Sequence, residues 1–173
     1  MLEFKDHTFA LQGPGDFFAK LEWEFAQLKG MPLNDGYLYQ VVTCASDAWH
    51  MADWAFAALS EEEQASHKNV AEFRKWLRGE NRSLAICRMI ADAHKHSKVD
   101  RNPDPNVSTR YILGPGKLEQ ASTTWLIVDD KDLLEPRQVI EDAVMFWVRF
   151  LGDRNMLAGT PIEDLYHAKR SLL

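Results

Sequence analysis

The chain has 173 residues and a net charge of −6, and 46% of its residues are apolar, including six Trp and nine Phe. That composition excludes a disordered chain, and the acidic balance excludes a general coat for nucleic acid. The length suits one domain with a sizeable core, so the expectation is a single helical domain over 1–173.

No apolar run is long enough to span a bilayer and no charged-then-apolar leader opens the chain, which predicts a soluble, cytoplasmic protein without a membrane partner. Cys44 and Cys87 sit among apolar helical residues and read as reduced core thiols. The charge is unevenly spread. Residues 72–101 hold eight Lys/Arg against four acids, a net +4, which leaves −10 for the remainder. A local basic zone on an acidic body fits a phosphate-bearing ligand or the acidic patch of a partner, or else a solvated face with scattered ion pairs.

In chain order, a first helix is predicted from Gly15–Asp16, with Asp16 as cap and Phe18, Leu21, Phe25 and Leu28 as its stripe; Gly30-Met31-Pro32 ends it. A second helix, capped by Asn34 or Asp35, runs to about Leu59 and is apolar nearly all round, which places it centrally in a bundle. Its polar residues Gln40, Thr43, Asp47 and His50, with Asp53 close by, form one narrow stripe. Such a stripe is either a thin solvent edge or the wall of a polar pocket. Ser60 and Glu63 make a capping box for a third helix reaching Leu77, with Ser66, Val70, Phe73 and Leu77 inward and Gly79 breaking it.

The fourth helix, capped by Asn81, combines a core face with titratable groups. Leu84, Cys87, Ile90, Ala91 and His94 follow one helical stripe, and Arg88, Asp92 and His96 a second. Asn102–Asn106, with two prolines, cannot continue it. A hairpin insertion follows over about 107–128, from runs Val107–Leu113 and Thr123–Val128 around Gly114-Pro115-Gly116. Pro136 opens a fifth helix that Gly152 ends, and Thr160-Pro161-Ile162-Glu163 caps a short last helix to about Leu172. The fold class is therefore mainly α: a single-domain bundle of about five to six helices with a small β-hairpin inserted before the fifth.

Three function classes compete. The first is metal-independent RNA cleavage. An imidazole can move a proton from a ribose 2′-hydroxyl and a guanidinium can hold a phosphate bidentately, so His94 and Arg88 are the candidate catalytic pair. Lys95, His96 and Arg101 would bind substrate as local positive charge. Six residues apart on one helix, Arg88 and His94 lie about 120° from each other, so they flank a groove rather than touch, and a two-fold homodimer would suit them. The structural alternatives are a core-edge His94 and an Arg88 paired with Asp92. The second class is a Zn, Mn or Fe site in which Asp47 and His50 on one helix meet Asp92 and His96 on another; without it no cofactor is expected. The third is a non-catalytic protein-binding or accessory module, antitoxin-like, presenting tryptophans and the hairpin to a protein partner. The six tryptophans sit mainly at apolar positions, which places most in the core. No phosphate-cradling glycine loop and no nucleophile elbow occurs in the sequence.

The Arg88–His94 spacing within a helical domain resembles the Arg-x(4–6)-His signature of the HEPN superfamily, small all-α domains that include toxin and defence ribonucleases. That resemblance implies a helical bundle, often dimeric, with those two residues at the active cleft. Met89 stands where that family usually has Asn, Asp or His directly after the Arg, a departure that bears on cleavage more than on fold. Residues Asp47–Trp54, Ile90–His96 and the hairpin-plus-final-helix layout are also similar to those of a group of uncharacterised bacterial proteins, a resemblance that implies no activity.

Overall fold

The computed structural model describes residues 11–33, 35–96, 103–113 and 123–157. Six helices and three strands occur among them: α1 Pro14–Gly30, α2 Asp35–Ala58, α3 Glu61–His67, α4 Val70–Glu80, α5 Arg82–His96, β1 Val107–Leu113, β2 Thr123–Asp129, β3 Asp132–Leu134 and α6 Pro136–Gly152. The fold is mainly helical with a small antiparallel sheet before α6. The predicted last helix, the Gly114-Pro115-Gly116 turn and Arg101 lie outside the described residues.

α2 is central, as its nearly all-round apolar surface requires, and packs against α1, α4, α5 and α6. Its Val41, Cys44, Ala45, Ala48, Met51, Ala52 and Ala55 are fully buried. The small residues let neighbouring helices approach closely; at one such crossing the Trp147 indole N–H on α6 donates to the Ala48 main-chain oxygen, 2.8 Å away. α1 supplies Phe18, Leu21 and Leu28 to the same core, α4 supplies Phe73 and Leu77, and α5 supplies Leu84, Ile86 and Cys87.

Local signals act where expected at several ends. Ser60 and Glu63 form both hydrogen bonds of the capping box. Asn81 Oδ1 accepts from the Leu84 N–H at 2.8 Å and starts α5. Pro136 occupies the first turn of α6, although the cap there is the Glu135 side chain, which accepts from the Gln138 N–H. α1 begins at Pro14, and Asp16, expected to cap it, instead accepts from the Gln12 N–H one turn back, at 2.8 Å.

Two expectations need correction. The helix predicted from Ser60 to Leu77 is two helices. Lys68 adopts φ 65°, and Asn69 caps α4 by accepting from the Glu72 N–H at 3.0 Å. The left-handed residue is costly on its own, but the break rotates α4 so that Phe73 reaches the core, with the His67 ring set against Phe73 and Trp76 at 5.0 and 5.1 Å. α3 buries no residue, so Ser66 points to solvent rather than inward, and Gly79 lies within α4. The hairpin gains a third strand. β1 pairs with β2 from Val107↔Asp129 to Leu113↔Thr123, and β2 turns through Asp130-Lys131 to pair with β3. Asp130 has φ 53°, the left-handed geometry that two-residue hairpin turns need.

The sheet is anchored to the helices by a buried Ile127 and by Arg82 at the start of α5. Arg82 Nε lies 2.9 Å from Asp129 Oδ2 and Nη1 lies 2.6 Å from Asp104 Oδ2, while Nη2 binds the second Asp129 oxygen. Those hydrogen bonds hold both carboxyls below the usual carboxylate range.

Among the described residues, no helix is long and apolar enough to cross a membrane.

Candidate functional site

A solvent-open groove of about 840 Å³ runs along the outer side of α2, between it and the last turns of α5, with Arg74 of α4 at its edge. Side chains of α2 at spacings of three and four, Tyr39, Thr43, Asp47 and His50, line one wall; Asp92, His94 and Lys95 of α5 line the other. The polar stripe of α2 is thus a pocket wall over Thr43–His50. Gln40 leaves it for α1, where its amide donates to the main-chain oxygen and carboxylate of Glu24 at 2.9 and 2.7 Å. Asp53 turns to α4.

Three of the groove's charges are countered from outside it. Asp47 is bound by Lys20 of α1, which also lies 3.6 Å from Glu24. Asp92 Oδ2 lies 2.9 Å from Arg88 Nε. One Arg74 nitrogen sits 2.5 and 2.6 Å from the two oxygens of Asp53, and the guanidinium lies 6.0 Å from the Trp49 ring. His50, His94 and Lys95 have no such counterpart among the described residues. Among the described residues, the groove therefore presents two imidazoles and one ammonium without an ion-pair partner.

The sequence-predicted residues divide. His94 is exposed and lines the groove, so the apolar stripe of α5 stops at Ala91. Arg88 is only 8% exposed, is paired with Asp92, and is not among the side chains lining the groove. Burial first, and then the Arg88 charge, lower the pKa of Arg78, with Asp92 opposing. Met89 faces the loop before β1, its sulfur 3.5 Å from the Asp104 nitrogen. Lys95 lines the groove. His96 ends α5, its side chain outside the described residues, and Arg101 lies outside them altogether.

Of the four residues considered for a metal, Asp47, His50 and Asp92 share the groove. Among the described residues, however, no group of three or more His, Cys, Asp or Glu side chains could hold an ion. Both cysteines are buried free thiols. Desolvation, with Glu24 and Asp47 nearby, pushes Cys44 up to about 12, and burial raises Cys87 as well, so neither is a nucleophile.

Tyr39 and Arg74 are among the groove residues not singled out from the sequence as site candidates. Tyr39 is 70% exposed at the rim; its signal was an aromatic off the apolar arc of α2, one turn before Thr43. Arg74 came from a helix whose kinked start hid its direction.

No family model, curated protein or solved structure matches the chain.

Proposed function

We propose that the α2/α5 groove binds single-stranded RNA and cleaves it without a metal, with His50 and His94 as the proton-transfer pair. The observation that carries this reading is the placement of two imidazoles, on different helices, in one open groove beside an exposed Tyr39 and a Lys95 that has no ion pair among the described residues. One imidazole removes the 2′-hydroxyl proton as that oxygen attacks phosphorus. The other, protonated, gives its proton to the departing 5′-oxygen, leaving a 2′,3′-cyclic phosphate and a 5′-hydroxyl. Lys95 offers the phosphate an ammonium, and Tyr39 offers a base its ring face. In this scheme Arg88 does not hold phosphate. It is a positioning residue that fixes Asp92 and keeps that carboxylate from repelling the substrate.

The test is cleavage of a fluorescent RNA oligonucleotide in the presence of a chelator. The expected result is cyclic-phosphate product with a bell-shaped pH profile, lost roughly 100- to 10,000-fold in His50→Ala and in His94→Ala. Cleavage that persists undiminished in both variants would reject the roles.

The wider reading is a HEPN-like ribonuclease of a toxin–antitoxin or defence system. It is supported by the helical fold and by the place of His94 at the groove. A protein-binding module is the competing class, and the exposed aromatics bear on it below.

A further inference from the structure

Of the six tryptophans, Trp49 and Trp147 are buried and Trp54, Trp76 and Trp125 are partly buried, but Trp23 stands 61% exposed on α1. Nothing in the packing of α1 accounts for it, since the core face of that helix is Phe18, Leu21, Phe25 and Leu28. Its place relative to the groove follows from two contacts. Glu24 meets Gln40 of α2, and Lys20 meets Asp47 of α2. Trp23 directly precedes Glu24 and lies three residues after Lys20, next to it on the helix surface. Tyr39 directly precedes Gln40. At about 100° per residue, Trp23 points roughly 160° away from Leu21, going round through the Glu24 and Lys20 positions that face α2. Tyr39, Thr43 and His50 point similarly far from Val41 on α2. The outer surfaces of α1 and α2 thus form one continuous face that opens into the groove, with an exposed aromatic on each helix.

We infer that Trp23 is a second stacking platform, and that the ligand is a single-stranded oligonucleotide that crosses α2 from Tyr39 to Trp23 rather than a mononucleotide held in the groove alone. The inference rests on the RNA reading above. Two features select this occupant over a protein. The α1/α2 seam between the two rings carries polar contacts, Glu24–Gln40 and Lys20–Asp47, so the rings do not fuse into the apolar centre that a protein interface needs. Lys95, a groove cation without an ion pair among the described residues, complements a phosphate chain. Stacking on separate rings tolerates any base, so the surface reads length more than sequence.

The experiment is fluorescence anisotropy at low salt with labelled 2′-deoxy oligouridylates of two, four and eight nucleotides, which bind but lack the 2′-hydroxyl needed for cleavage. Uridine 3′-phosphate serves as the one-nucleotide competitor. Wild-type affinity is expected to rise from one to four nucleotides. Trp23→Ala should weaken the four-nucleotide probe about 5- to 10-fold and leave competition by uridine 3′-phosphate unchanged, while Trp23→Phe restores most of the loss. Tyr39→Ala should weaken both ligands. Circular dichroism of each variant controls for folding, which an exposed side chain should not disturb. Equal binding of the four-nucleotide probe by Trp23→Ala and wild type overturns the inference and leaves the RNA reading standing. Absence of binding at every length overturns both. If Trp23→Ala instead abolishes a concentration-dependent self-association seen by sedimentation, with oligonucleotide binding intact, the indole belongs to a protein contact and the inference fails.

Discussion

Two polar clusters of this protein use the same residue types to opposite effect. At the start of α5, Arg82 binds Asp104 and Asp129, and each of the three charged groups finds its partner within that cluster. At the other end of α5 the groove also collects acids and bases, but its carboxylates are paired with Lys20 and Arg88 from outside and the charge of its guanidinium is countered by Asp53. Among the described residues, the groove side chains left without such an ion pair are two imidazoles and an ammonium. A cluster that closes on itself is a fastening. One whose charges are countered from behind, with imidazoles left in front, is the arrangement that the proposed RNA site uses.

The contrast can be broken most directly at the histidines. His50→Ala and His94→Ala are expected to remove RNA cleavage by the factors given above while shifting stability by less than about 0.5 kcal/mol in urea unfolding, as for exposed side chains elsewhere. A large loss of stability would place them with the fastenings. Next in size is Arg88→Ala. It leaves Asp92 without its partner and removes a buried stem, and should cost about 1.5–3 kcal/mol in the same assay. Arg88→Lys should recover only part, since a point ammonium does not replace the guanidinium that meets Asp92 through Nε.

The fastening should show its own signature in acid. Asp104 and Asp129 have lowered pKa values in the fold, so the unfolded chain binds protons that the folded chain does not. Their contribution is therefore present above the ordinary carboxylate range and lost as pH falls through their depressed folded values. Melting temperatures of the wild type should fall more steeply than those of Arg82→Ala between about pH 5 and pH 3, and the two curves should converge at the acid end. Parallel curves would show that the contacts do not stabilise the fold. Even at neutral pH, where it is fully present, this is the smallest of the expected effects: Arg82→Ala should cost only about 1 kcal/mol because the guanidinium is half exposed.

Much of the fold was legible because its signals are local. The all-round apolar run of α2, the Ser60–Glu63 box, the Asn81 cap and Pro136 each act within one or two turns. The break at Lys68 was hidden because its local cost is offset by tertiary packing of Phe73 and Trp76, whose partners include Phe150 far along the chain. β3 was hidden because Asp130-Lys131 is a weak turn signal beside Asn-Gly. At the site, the Arg88–Asp92 pair could be read from its spacing of four, and His94 from its place at the end of a helix. The joining of His50 to His94 could not, nor could the pairing of Asp47 with Lys20 or of Arg74 with Asp53, which span 27 and 21 residues. The residues weighed for a metal lie on α2 and α5, the two helices that line the groove, because polar residues three and four apart share one helix face.

The sealed thiols carry one practical consequence. The chain has two cysteines, both enclosed and both disinclined to ionise. A third cysteine introduced at exposed Lys95 or Trp23 would be the one position open to a maleimide dye in the native protein, while alkylation of the original pair would time how often the bundle comes apart.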